Sequence, residues 1–271
     1  MTDPAVSGPV LRNPLAETLR AGRLGISMIV KQVHSVDIAV AAASCGFDAI
    51  NIDLEHSVIP EAAAAQICVT ALHAGITPLV RVPSHAGHYA NRILDAGALG
   101  IVVPHVGSAD EARAIVRACK FAPSGERSVS GSWPHFGFRN WPADEARRVL
   151  NDSTMVIVML ETPEAIERAD EIAAVPGVDV LHVGATDLSD AMGIPGCYGD
   201  ASIKRSFERV VAACRAHGKI AGAGGLAGDL QLLQQMVGLG VRFVTAGSEW
   251  DFMLAAARAR ADVLRQLPLA L

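Results

Sequence analysis

The chain has 271 residues, 51% of them hydrophobic and 19% charged, with a formal net charge of −5. That length and apolar share suit one (β/α)8 barrel of about 250 residues, or two small domains, and leave little for disorder. An acidic balance without a basic run excludes nucleic acid and anionic membrane as partners, because both demand a basic face.

Met1 to Pro14 is polar with three prolines and reads as an N-terminal arm, so the domain proper runs over 15–271. A short helix over Leu15–Ala21 comes first. Apolar runs of four to six residues then recur at Leu24–Ile29, Ala49–Leu54, Thr77–Val82, Gly100–Val103, Met155–Leu160, Val178–Val183, Lys219–Ala223 and Arg242–Ala246. Such runs fit parallel strands buried on both faces. Helical patterns fall between them, at Val36–Cys45, Pro60–His73, His88–Asp95, Ala109–Lys120, Ala143–Asn151, Pro163–Ala174, Lys204–His217 and Leu226–Val237. A long helix over Glu249–Leu267 closes the chain. Pro123 to Trp141, rich in Gly, Ser, Pro and aromatics, is too long for an ordinary connection. It reads as a lid at the exit rim, from which His135 could reach a substrate. Eight strands alternating with helices predict an α/β fold, a single-domain (β/α)8 TIM barrel. A doubly wound open sheet is the alternative, weakened by the lack of G-x-G-x-x-G after the first strand.

The five cysteines, Cys45, Cys68, Cys119, Cys197 and Cys214, are scattered and form no C-x-x-C. That suits a reduced cytoplasm better than a disulfide framework or a zinc site. Met1 to Asn13 has no apolar core of signal-peptide length, and no run of about 18 apolar residues could span a membrane.

Chemistry gathers where the strands exit. Glu161 and Asp187 follow two adjacent parallel strands, so their carboxylates come to the same rim, where α/β barrels keep their active sites. Two nearby carboxylates repel unless a proton or a cation lies between them. Oxygen ligands with open positions suit Mg²⁺ or Mn²⁺. Other exits give Asp53-Leu54-Glu55-His56, Arg81, Pro104-His105 and Gly247-Ser248. Each has a plainer reading. Glu161 and Asp187 could be helix caps, Arg81 an ion-pair partner of Asp53 or Glu55, and His56 a loop residue, while His105 and His182 read as structural. Of the four lysines, Lys31, Lys120, Lys204 and Lys219, only Lys31 follows a strand exit. That disfavours Schiff-base catalysis, which needs a lysine near the rim.

Ile52-Asp53-Leu54-Glu55-His56, Val80-Arg81-Val82, Leu94-Asp95-Ala96-Gly97, Val103-Pro104-His105-Val106, Leu160-Glu161-Thr162-Pro163-Glu164-Ala165 and Val183-Gly184-Ala185-Thr186-Asp187-Leu188-Ser189 resemble the class II pyruvate aldolases of the HpcH/HpaI family, typified by 4-hydroxy-2-oxoheptanedioate aldolase. The resemblance implies a TIM barrel that holds a divalent cation, Mg²⁺ or Mn²⁺ with Co²⁺ as a further candidate, on Glu161 and Asp187. It implies a 2-oxo acid and an aldehyde as small-molecule partners, with no nucleic acid and no membrane. It gives the keto oxygen to Arg81, proton transfer to a His56–Asp95 dyad, and the substrate carboxylate to the backbone around Gly184, Ala185, Thr186 and Asp187. It also implies a homo-oligomer, a hexamer or trimer of dimers, with final helices exchanged between subunits. A related C–C lyase, an oxaloacetate decarboxylase or a non-catalytic acid-binding barrel are the alternatives. Met159 departs from the family pattern, which carries Gln there, as does Ser128, where the pattern has Gly.

Overall fold

A computed structural model describes residues 11–268. The order of elements is α1 (Pro14–Arg20), β1 (Gly25–Val30), α2 (Asp37–Ser44), β2 (Ala49–Asp53), α3 (Glu61–Ala74), β3 (Thr77–Arg81), α4 (Gly87–Asp95), β4 (Gly100–Val103), α5 (Ala109–Cys119), α6 (Ala143–Ser153), β5 (Met155–Leu160), α7 (Pro163–Glu167), α8 (Ala169–Ala173), β6 (Val180–Gly184), α9 (Ala185–Ala191), α10 (Ala201–Ala216), β7 (Ile220–Gly224), α11 (Leu230–Leu239), β8 (Phe243–Ser248) and α12 (Glu249–Arg265). The eight strands pair in sequence order, all parallel, and β8 pairs back onto β1 to close the barrel. The open-sheet alternative is thereby excluded. No described helix is long and apolar enough to cross a membrane.

Alternation along each strand splits the core in two. Ile50, Ile52, Val80, Ile101, Val156, Val158, Leu181 and Val183 point outward into a layer shared with Ile67, Leu94, Ile115, Phe207 and Val210 of the helices. Leu79, Val102, Met155, Ile157, Val180 and Phe243 point inward. Leu15 and Leu19 of α1 join that inner cluster and stopper the N-terminal end of the barrel. Of the arm expected over 1–14, residues 1–10 lie outside the described residues. Asn13 is buried: its amide nitrogen donates to the carbonyl of Ser153 at 2.8 Å, and its Oδ1 accepts from the N–H of Ala16.

The segment 123–141 does not cover the exit rim. It joins α5 to α6, and a connection that follows a helix returns to the N-terminal end of the barrel. Trp133 and Phe136 are buried against Phe121, Ala146 and Leu150. His135 sets Nε2 3.0 Å from the carbonyl oxygen of Ala98, and burial pushes its pKa down to about 4. The segment is a structural wrap, and His135 does not reach the mouth.

Candidate active site

The C-terminal mouth of the barrel opens on a cavity of about 250 Å³, lined among others by Lys31, His56, Arg81, Glu161, His182 and Asp187. Glu161 leaves β5 with only 2% of its surface exposed. Its Oε2 accepts the backbone N–H of His105 at 2.7 Å, and the ring Nδ1 of the same residue stands 3.1 Å away. His105 takes φ = 55°, a left-handed conformation uncommon outside glycine, to make that clamp. Its Nε2 lies 3.1 Å from Glu55 Oε1, so one imidazole bridges two carboxylates. Burial pushes the Glu161 carboxyl above its ordinary range; His105 opposes the rise, and the charges of Asp187 and Glu55 add to it.

Asp53, at the end of β2, has no exposed surface. Arg81 grips it from β3, Nε to Oδ1 at 2.9 Å and Nη2 to Oδ2 at 2.6 Å. The remaining guanidinium nitrogen, Nη1, stands 3.0 Å from Glu55 Oε2. Arg81 therefore pairs with both Asp53 and Glu55 while still lining the cavity. His56 also lines it, half exposed, with Nε2 3.7 Å from Glu55 Oε2.

Residues 28–256 match the family model described as HpcH/HpaI aldolase/citrate lyase. The chain belongs to the HpcH/HpaI aldolase/citrate lyase family. It is 39% identical to the 4-hydroxy-4-methyl-2-oxoglutarate aldolase of Hapsidospora irregularis, over 95% of this chain and 96% of that one. It is 42% identical to the enzyme of the same name from Chaetomium globosum, over 88% of this chain and 89% of that one. An HpcH/HpaI aldolase from Desulfitobacterium hafniense superposes with a TM-score of 0.89 at 28% identity, over 95% of this chain and 98% of that one. The protein is accordingly a carbon–carbon lyase of the aldolase type that acts on small molecules.

Within this HpcH/HpaI barrel, β6 delivers Gly184 against Glu161. A Cβ on Gly184 would stand 2.6 Å from Glu161 Oε1, so only glycine leaves that oxygen its place. Gly184 then caps α9, a short helix not expected from the sequence. Ala185, Thr186 and Asp187 form its first turn, where backbone N–H groups have no partner within the helix. Thr186 and Asp187 line the cavity with Gly184.

Asp95 is placed elsewhere. It ends α4 at the N-terminal end of the barrel, and its carboxylate accepts from Arg127 Nη2 at 2.7 Å. It borders an outer depression with Gln66, Val69 and Phe138, and within one chain it does not meet His56.

Two histidines read as structural stand at the site. His105, read as structural, holds Glu161. His182 forms part of the cavity wall inside the barrel, its ring set against Gly222 and Gly224 of β7, where Cβ atoms would come within 2.5 Å of Nδ1 and 2.7 Å of Nε2. Burial pushes its pKa down to about 3, so it is neutral. The signal was there: two glycines spaced two apart on one strand clear one face for a large neighbour.

Proposed function

We propose that the enzyme is a divalent-metal-dependent aldolase that cleaves or forms 4-hydroxy-2-oxo acids by way of pyruvate or a close 2-oxo acid relative. The observation that carries this is the convergence of Glu161, Asp187, Arg81 and His56 on one cavity at the barrel mouth. The donor set fits a hard cation. Two carboxylates line the cavity, the charge of Asp187 helps hold the Glu161 carboxyl up, and a nearby cation would relieve both. Among the described residues no third His, Cys, Asp or Glu completes a metal cluster. Mg²⁺ and Mn²⁺ suit such a site, because they keep positions for substrate and water. Glu161 and Asp187 would hold the ion, Glu161 through Oε1, since His105 engages Oε2. When bound, the cation polarises the keto group and stabilises negative charge on its oxygen.

The chain supplies the rest. Backbone N–H groups in the first turn of α9, which have no partner within the helix, receive the substrate carboxylate. Arg81, fixed by Asp53 and Glu55, faces the keto oxygen, where charge develops. His56 accepts the proton of the C4 hydroxyl as the C3–C4 bond breaks. The bond pair passes to C3 as the enolate of the 2-oxo acid, C4 becomes a carbonyl, and the proton is returned to C3. Asp95 can complete a dyad with His56 only across an interface between copies. The helix α12, exposed over nearly its whole length, is the element we assign to such an interface. Five free cysteines, three of them buried, fit the cytoplasm. A CoA-dependent lyase is disfavoured: the cavity offers Lys31 and Arg81, too few cations for nucleotide phosphates.

The test is release of pyruvate from 4-hydroxy-4-methyl-2-oxoglutarate, the compound named in the fungal relatives, by the wild type and by Glu161→Ala. EDTA should abolish the wild-type activity and Mn²⁺ or Mg²⁺ restore it, and the variant should stay inactive. Turnover indifferent to both chelation and substitution would end the metal-aldolase reading.

A further inference from the structure

Lys31 follows β1 and its side chain lines the cavity. Its backbone is pinned: the N–H groups of Lys31, Gln32 and Val33 all donate to Glu249 Oε1, at 2.8, 2.6 and 3.0 Å. Glu249 is itself buried, at the start of α12. Three donors converging on one carboxylate oxygen fix the path of the loop, so the lysine leaves it from a set position.

The ammonium at the far end is not similarly engaged. Its nearest carboxylate oxygen is Asp53 Oδ2 at 3.7 Å, beyond hydrogen-bond reach. Both Asp53 oxygens are already taken, by Arg81 and by the N–H groups of Glu55 and His56. Among the described residues Lys31 Nζ makes no hydrogen bond. Arg81, the other cation of the cavity wall, is committed to Asp53 and Glu55. Lys31 is thus the cation whose side chain makes no hydrogen bond of its own, in a mouth otherwise rich in carboxylates. A substrate with a single carboxylate would be held at the first turn of α9 and, when bound, by the metal ion. A second carboxylate would meet Asp187 and Glu161 unless a positive group received it.

We propose that Lys31 is a specificity-determining residue whose ammonium binds a carboxylate carried on C4 of the 4-hydroxy-2-oxo acid. The enzyme then favours dicarboxylic substrates, whose acceptor fragment is itself an oxo acid, over those that release a neutral aldehyde. This deepens the aldolase reading above and rests on it. No covalent step is assigned to Lys31: it holds the fragment while the C4 oxygen becomes a carbonyl.

The matched pair 4-hydroxy-2-oxoglutarate and 4-hydroxy-2-oxopentanoate tests it, since they differ only by carboxylate against methyl on C4. We measure kcat/KM for pyruvate release from each in the wild type, Lys31→Met and Lys31→Arg. In Lys31→Met the preference for the diacid should fall by roughly 10- to 100-fold, the range of one charge-assisted hydrogen bond, mainly through KM. Lys31→Arg should recover part of it. A preference within about 2-fold of wild type, or equal losses on both substrates, overturns the proposal. So does a pyruvate adduct trapped on Lys31 by borohydride, because that makes the lysine an imine former. Exchange of the pyruvate methyl protons in D₂O by the wild type separates the failures. Exchange and cleavage with an unmoved preference remove only the Lys31 assignment, whereas neither exchange nor cleavage removes the aldolase reading as well.

Discussion

Arg81 and Asp53 form a two-point hydrogen-bonded pair at the ends of neighbouring strands, with Asp53 wholly buried. Burial alone would raise the Asp53 carboxyl. The guanidinium and the N–H groups of Glu55 and His56 outweigh it and hold the carboxyl below its ordinary value. Removing one partner of a buried pair strands the other, so Asp53→Asn should cost about 3 kcal/mol. A carboxyl depressed in the folded state adds stability that is present above its unfolded pKa and lost as pH falls through the folded one. The wild type should therefore lose stability below about pH 4 more steeply than the variant. Urea midpoints taken from pH 7 to 3 give both quantities, and parallel pH profiles would contradict the pairing.

Gly184→Ala tests the seat of Glu161. The backbone there has φ = −87°, which alanine accepts, so only the contact at 2.6 Å changes. The carboxylate must shift, and a misplacement approaching 1 Å should lower kcat/KM by about 100-fold. Circular dichroism should stay unchanged, and Mn²⁺ affinity read by calorimetry should weaken. Wild-type affinity and turnover would show that Glu161 needs no such room.

His182→Phe keeps an aromatic ring in the slot beside Gly222 and Gly224 and removes a buried base. A histidine at about 3 in the folded state cannot take up the proton that the unfolded chain binds below about 6.5. It therefore costs stability increasingly as pH drops between those values. Between pH 7 and 5 the wild type should lose about 2 kcal/mol more than the variant. Equal losses in denaturant titrations would mean the ring is protonated in place.

The helix α12 leaves Trp250, Phe252, Met253, Val263 and Leu264 each at least 40% exposed. Apolar groups gathered on one element and left in water mark an interface. Sedimentation should give a mass well above the 28.3 kDa of one chain, and the pair Val263→Asp with Leu264→Asp should reduce it. An unchanged mass in the variant would place any interface elsewhere.

Strands were legible because apolar runs buried on both faces leave a strong signal, and Met155–Leu160 matches residue for residue. Helix ends were harder. The stretch read as one helix over Pro163–Ala174 divides at Arg168 into α7 and α8. The helix α9 leaves little trace in the sequence, because side chains such as Thr186, Asp187 and Ser189 compete with the backbone for hydrogen bonds and resemble a loop. The strand-exit rule brought Glu161, Asp187, Arg81 and His56 to one mouth. The lid and His135 failed for a topological reason: aromatic composition outweighed the fact that their segment follows a helix. Nothing local to Lys31 in the sequence announces the distant Glu249 that fixes its backbone.

With Leu15 and Leu19 plugging the far end, the barrel is a blind cup rather than a tunnel. Reactants and products share one doorway, so whichever fragment sits deeper cannot depart before the one above it. Turnover should then follow a fixed order of release, and an excess of the outer product should hold the inner one captive.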